Sequence, residues 1–190
     1  IPGSYPDTGL YLGIIGFNQE LYTHSLSLLT ENSKSSFDGF IDDLEMKSGT
    51  LLCYAVENAL STLNRLEMPS NLSTVAIVTF TDGLDQGSLM MTDKFYSDED
   101  YLSSLQQTIS SSIYSDVFLS SYSIGLRGQD VSNLSKFQNT LKQLAYPEKN
   151  AYEVSNMSGV NTTFQEIARQ LNSRINYQTV TLKMPGISDG

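Results

Sequence analysis

The chain has 190 residues, of which 39% are hydrophobic, so it is long enough to bury one core and too apolar to be disordered. Its net charge of −10 and the absence of a lysine or arginine cluster argue against nucleic acid and anionic membranes as partners. The single histidine, His24, excludes a His-rich zinc site, and the single cysteine, Cys53, excludes an internal disulfide. No apolar run is long enough to predict membrane insertion.

The first half of the chain predicts three strands and two helices. Continuous apolar runs predict buried strands, a looser alternation predicts an antiparallel edge strand, and apolar residues at helical spacing predict helices. The strands are expected at 10–18, 20–29 and 74–80, and the helices at 35–44 and 51–66. Polar residues 30–36 are expected to form a break. Residues 47–50 are expected to form a loop.

The second half continues the alternation of strands and helices. A polar loop over 86–97 precedes a helix that Ser97 should cap, with Asp98, Glu99 and Asp100 in its first turn. The remaining elements follow in chain order. They are a strand at 117–124, a helix at 131–146, a strand at 151–154, a helix at 160–175 and a strand at 177–183.

This alternation predicts an α/β fold, a three-layer Rossmann-like arrangement with a mostly parallel sheet and helices on both faces. One domain is expected over residues 8–176. Residues 177–190 are expected to form an outgoing strand and linker toward another domain.

The strand at 74–80 ends in Thr81-Asp82-Gly83. Because ligands bind at the carboxyl ends of parallel strands, Asp82 is a candidate for holding a metal or a substrate. The alternative is that Asp82 only forms the turn. Thr50 precedes the second helix, and as an isolated residue it is equally well explained as a helix cap.

Four stretches, in this order, resemble the von Willebrand factor type A domain. They are Leu12-Gly-Ile-Ile-Gly-Phe-Asn18, Ser48-Gly-Thr50 before an apolar helix, Ile77-Val-Thr-Phe-Thr-Asp-Gly83, and Ser121-Tyr-Ser-Ile-Gly-Leu126. The resemblance implies a metal-ion-dependent adhesion site at the top of the sheet, with Thr50 and Asp82 as ligands of Mg²⁺ (or Mn²⁺ or Ca²⁺). An acidic group of a protein partner would complete the coordination.

The sequence departs from this family before Leu10. It has no Asp-x-Ser-x-Ser loop, which supplies further metal ligands in the family, and no first strand to lie between the strands at 10–18 and 74–80. Two explanations remain open. Either the chain is part of a longer protein, or the two strands pair directly and the metal site is vestigial, so that no metal binds.

The first functional hypothesis is a non-enzymatic protein-binding or adhesion module of a larger surface or secreted protein, located outside the cytoplasm. The alternative is a structural, scaffolding domain with a vestigial metal site. A third hypothesis, an α/β enzyme using His24, lacks a phosphate-binding loop and a nucleophile elbow. Asp85 and the three acids at 98–100 are further residues that could attract cations.

Overall fold

The computed structural model describes residues 9–45, 47–127 and 133–178. Its strands and helices follow the predicted order. The strands are β1 (Tyr11–Phe17), β2 (Leu21–Leu28), β3 (Ala76–Thr81), β4 (Ile113–Tyr114), β5 (Val117–Phe118), β6 (Ser120–Leu126) and β7 (Ala151–Val154). The helices are α1 (Glu31–Asp42), α2 (Leu52–Asn64), α3 (Asp98–Ser111), α4 (Leu134–Leu144) and α5 (Met157–Gln178).

A three-stranded parallel sheet, in the order β3-β6-β7, forms the centre of the fold. Side chains from α2, α3 and α4 pack on one face of this sheet, around the buried Ile77. The other face carries the buried Tyr122 and Ile124, which pack against Ile167 of α5. The expectation of an α/β fold with a parallel sheet between helices is therefore confirmed at this level.

Small residues on β6 let α4 lie close to the sheet. The hydroxyls of Ser121 and Ser123 donate to the carbonyl oxygens of Leu144 and Leu141, at 2.5 and 2.6 Å. A side chain at Gly125 would collide with Leu141, whose Cδ1 lies 2.5 Å from the position that a Cβ would take. These short side chains fix the layer spacing, because protein interiors are close-packed.

The first two strands form a separate antiparallel hairpin, in which β1 pairs with β2. Within the described residues β1 and β3 are not hydrogen-bonded to each other, so the alternative in which they pair directly is wrong. The prediction that β1 is a buried strand is also wrong, since Leu12 is 37% exposed. The physical reason is that β1 has a strand neighbour on one edge only, and a strand is buried on both faces only inside a covered sheet.

β3 is fully covered on one face and only partly on the other, although its apolar sequence predicted burial on both. Ile77 and Thr79 are buried against the helices, while Val78, on the opposite face, is 37% exposed. Since α5 packs mainly against β6 and β7, it covers Ala76 and Phe80 only in part and leaves Val78 exposed.

Helix α1 begins earlier than predicted. Residues 30–36 were expected to break the chain, but Thr30 and Ser33 form a capping box that starts the helix at Glu31. Their polarity reflects capping, since serine and threonine favour helix starts.

The predicted strand at 117–124 is divided in two. Ser115 and Asp116 have φ of 45° and 66° and turn the chain into the short hairpin β4–β5 before β6 begins. Two successive residues with positive φ are the signature of a tight hairpin turn, which a strand-period pattern does not reveal.

The predicted strand at 177–183 is wrong at its first two residues, because α5 continues through Gln178; residues 179–183 lie outside the described part of the chain. The loop at 86–97 contains one short 3-10 helix, at Ser88–Met91.

Candidate functional site

Asp82 lies directly after β3, at the carboxyl edge of the parallel sheet. Its side chain is exposed, and within the described residues no donor or cation pairs with its carboxylate. Thr81 makes the turn instead. Its hydroxyl donates to the carbonyl oxygen of Gly83 at 2.8 Å and accepts from the Gly83 N–H at 3.2 Å. The Asp82 carboxylate is therefore not used in forming the turn.

Thr50 lies beside this turn, because two contacts fix residues 47–51 between the ends of β1 and β3. The Leu51 N–H donates to the Asn18 carbonyl oxygen, just after β1, and the Thr50 carbonyl oxygen accepts from the Gln86 N–H; both bonds are 2.9 Å long. The Thr50 hydroxyl lies 4.0 Å from the position that a Cβ on Gly83 would occupy. The structure thus brings Thr50 next to the Thr-Asp-Gly turn.

Gly49 is required for this placement. Its φ of +93° suits glycine, and a Cβ there would lie 3.1 Å from the Cβ of Gln19. Lys47 adds a second anchor, since its Nζ lies 2.9 Å from the Tyr22 hydroxyl and 3.1 Å from a carboxylate oxygen of Glu20. Hydrogen bonding to Tyr22 and Glu20 raises the pKa of Lys47 above its ordinary value.

Thr50 does not cap α2. The residue at the cap position is Leu51, and no side chain of the cap residue bonds the helix. The backbone N–H groups of the first turn of α2 donate instead to side chains from a distant part of the chain. The Asp85 carboxylate accepts from the Cys53 N–H at 2.7 Å, and the Ser88 hydroxyl accepts from the Tyr54 N–H at 2.9 Å.

Asp85 is a structural residue in this arrangement. Besides Cys53, its carboxylate accepts from the N–H groups of Gly87 and Ser88, at 3.1 and 2.9 Å, and from the Ser88 hydroxyl. A carboxylate at a helix N-terminus is also favoured by the helix dipole. Sequence reasoning identified Asp85 only as an acid that could attract cations and missed this role, because Asp85 and Cys53 are 32 residues apart.

The acidic residues 98–100 lie in the first turn of a helix, as the sequence predicted. Ser97 caps α3 by accepting from the Asp100 N–H at 3.1 Å. Asp98 and Glu99, in the first turn, lie 3.7 and 3.9 Å from the Lys136 ammonium group. The helix start and Lys136 thus account for these charges without a metal.

The side chains of Thr50 and Asp82 offer oxygen donors of the type that a divalent cation binds. Mg²⁺ binds hard oxygen donors and commonly keeps several water ligands. Asp82 offers a carboxylate that no described residue bonds, and Thr50, beside the turn that contains Asp82, has a hydroxyl without a capping role. The described part of the chain has no group of three or more His, Cys, Asp or Glu side chains that could hold a metal, so these two residues would form only part of a coordination shell.

His24 lies between the hairpin and α1. Its ring packs against Phe37, with centroids 4.3 Å apart, and its Nε2 lies 3.0 Å from the Ser36 hydroxyl oxygen. The other ring nitrogen, Nδ1, lies 3.0 Å from the Ser25 carbonyl oxygen. A Ser-His-acid triad needs a carboxylate at that nitrogen. The geometry instead makes His24 a packing residue of the hairpin.

Exposed apolar side chains follow Asp85 on the loop that borders the candidate site. Met90 is 87% exposed, Met91 47% and Tyr96 97%. This loop is held against Thr50 by the Gln86 hydrogen bond described above. Methionine and tyrosine suit adaptable protein contacts.

The comparisons with known proteins assign no family. No protein-family model matches the chain, and no curated protein matches it. No helix among the described residues is long and apolar enough to cross a membrane.

Proposed function

We propose that this chain is a non-enzymatic protein-binding module of the von Willebrand factor type A kind. Asp82 and Thr50 hold a divalent cation, Mg²⁺ in the first place, and an acidic group of a protein partner completes its coordination. The observation that carries the proposal is the position of Thr50, a residue without a capping role, beside the turn at the carboxyl edge of the sheet that contains Asp82, whose carboxylate no described residue bonds.

The contacts around Thr50 and Asp82 support the proposal. Gly49 and the Asn18–Leu51 bond fix Thr50, the Thr81 hydroxyl fixes the turn, and Asp85 is already occupied by N–H and hydroxyl donors. Asp82 is therefore the carboxylate available to a ligand. The neighbouring Met90 and Met91 offer apolar surface for the same partner. As a binding module of this kind, the chain belongs to a surface or secreted protein outside the cytoplasm.

The thermal unfolding temperature with and without 10 mM Mg²⁺ (about ten times a millimolar dissociation constant) tests this function. A cation bound only to the folded state raises the midpoint. We expect a rise for the unsubstituted chain and none for Asp82→Ala. Asp42→Ala, an exposed acid at the end of α1, is the matched control and should keep the rise. An equal rise in all three proteins would contradict the proposal.

A second candidate function is a structural, scaffolding domain with a vestigial metal site. It is favoured by the finding that no group of three or more His, Cys, Asp or Glu side chains in the described ranges is arranged so that it could hold a metal. It predicts no Mg²⁺-dependent shift in any variant, so the same measurement separates the two functions.

A further inference from the structure

We infer that Asn133 and Asn156 are attachment sites for N-linked glycans. The inference rests on the location outside the cytoplasm that the proposed function assigns to the chain, because this modification belongs to secreted and surface proteins. It does not depend on a cation at Thr50 and Asp82.

The acceptor pattern for such a glycan occurs four times in the chain. The pattern is Asn-x-Ser/Thr, in which the middle residue is not proline. It is found at residues 71–73, 133–135, 156–158 and 161–163. A tripeptide this short also occurs where the fold itself needs the asparagine and the hydroxyl residue. The structural roles of these residues therefore separate the four.

Asn133 and Asn156 cap helices, and capping leaves their amide nitrogens free. Asn133 Oδ1 accepts from the Lys136 N–H in the first turn of α4, and Asn156 Oδ1 accepts from the Gly159 N–H in the first turn of α5; both bonds are 2.9 Å long. Both asparagines are exposed, and no described residue bonds either Nδ2. Because the amide nitrogen and oxygen are separate groups, a glycan on Nδ2 would leave the capping oxygen in place.

Capping does not account for the serines two residues further along the chain. Ser135 and Ser158 lie in the first turns of α4 and α5 and are exposed. No hydroxyl or carbonyl partner of either Ser Oγ is found among the described residues. The acceptor pattern requires a hydroxyl at this position. The modification thus supplies a reason for both serines that the fold does not supply.

The fold does account for the hydroxyl residues of the other two tripeptides. Thr163 is 7% exposed, and its hydroxyl donates to the Gly159 carbonyl oxygen at 2.9 Å. Ser73 is half-buried, and Asn71 already makes an interaction within the fold. The structure therefore assigns the modification to the tripeptides at 133–135 and 156–158.

The attachment of the glycan is a substitution at a sugar carbon. The donor is an oligosaccharide linked through its C1 atom to a polyprenyl diphosphate. The asparagine Nδ2 forms a bond to C1 and loses one proton, while the bond from C1 to the diphosphate oxygen breaks and the polyprenyl diphosphate leaves. The step involves no oxidation or reduction.

Secretion of the 190-residue chain from cultured eukaryotic cells, behind a signal peptide, tests the inference. An amidase that releases N-linked glycans, used in water enriched in heavy oxygen, converts each modified asparagine into a labelled aspartate. Mass spectrometry of the peptides should find the label at residues 133 and 156. Ser135→Ala and Ser158→Ala keep the capping asparagines and should each remove the label from the corresponding position, whereas Ser135→Thr should retain it. A secreted, folded chain without the label at either position would overturn the inference.

A second measurement tests whether the two serines have a structural role. In the unmodified chain made in bacteria, the combined variant Ser135→Ala and Ser158→Ala should lower the thermal midpoint by no more than about 2 °C, as expected for exposed side chains without partners. A larger fall would mean that the fold itself requires the serines and would overturn the inference.

The glycans and the cation are tested separately. The label at both positions without a Mg²⁺-dependent rise in the thermal midpoint would support the glycans and contradict the cation. A Mg²⁺-dependent rise in a secreted chain without the label would contradict the glycans alone.

Discussion

Replacing Asp85 by alanine should destabilise the protein far more than replacing Asp82. Asp85 accepts hydrogen bonds from the N–H groups of Cys53, Gly87 and Ser88 and from the Ser88 hydroxyl. Loss of a helix cap costs about 1 kcal/mol, and each partly buried donor left without its charged acceptor adds to this. We expect a loss of about 3 kcal/mol in the free energy of unfolding. For a chain of this size the loss corresponds to about 6–12 °C in the thermal midpoint.

Urea denaturation followed by circular dichroism measures both variants under the same conditions. Asp82→Ala should stay within about 0.5 kcal/mol of the unsubstituted chain when no divalent cation is added, since no described residue pairs with its carboxylate. The free energy of unfolding of Asp85→Asn should lie between those of the two alanine variants, because the amide oxygen of asparagine can accept fewer of the four hydrogen bonds. If Asp85→Ala were no less stable than Asp82→Ala, the hydrogen bonds of Asp85 would make no net contribution to stability.

Three further predictions concern residues around the site. Gly49→Ala should lower the free energy of unfolding by about 1–3 kcal/mol, because φ at this position is +93°. Gly39→Ala, at a helical position where a Cβ meets no other atom, should raise the free energy of unfolding by up to about 1 kcal/mol. Urea denaturation of the two variants checks both values. Burial opposes ionisation of Glu57, but hydrogen bonds from Lys94 and Tyr101 outweigh it and lower the pKa of Glu57. The ionised Glu57 therefore contributes its full stabilisation above its ordinary pKa of about 4.3, and this contribution is lost as the pH falls through the lowered value. Glu57→Gln should accordingly reduce the fall in the free energy of unfolding at acid pH. An unchanged fall would contradict this. Burial, together with Asp85, raises the pKa of the Cys53 thiol far above its ordinary value, so a thiol reagent at pH 8 should react at the rate of unfolding, and rapid reaction with the folded chain would refute this.

The order of strands and helices could be predicted because it depends on local patterns. Apolar spacing identified α2 and α3, and Ser97 marked the start of α3 correctly. Such signals lie within one turn of a helix or within one strand, so they can be interpreted without knowing what packs against the element.

The features that sequence reasoning missed depend on distant partners. The cap of α2 comes from Asp85 and Ser88, more than 30 residues away, so Thr50 was a plausible cap until its surroundings were known. The exposure of β1 and of Val78 depends on which strands pair, which the apolar runs do not specify. Gly49 was identified only through the family resemblance, although its positive φ is the physical reason that a glycine stands there.

Mn²⁺-induced broadening of amide signals in NMR spectra tests whether Asp82 and Thr50 hold a divalent cation. The paramagnetic ion reports its own location, even at the millimolar affinity expected for a site with two protein ligands. We predict selective broadening of the Thr50 and Gly83 amides, which Asp82→Ala abolishes and Asp42→Ala preserves. Broadening centred on Asp98, Glu99 and Asp100, or broadening at Gly83 that persists in Asp82→Ala, would contradict the account.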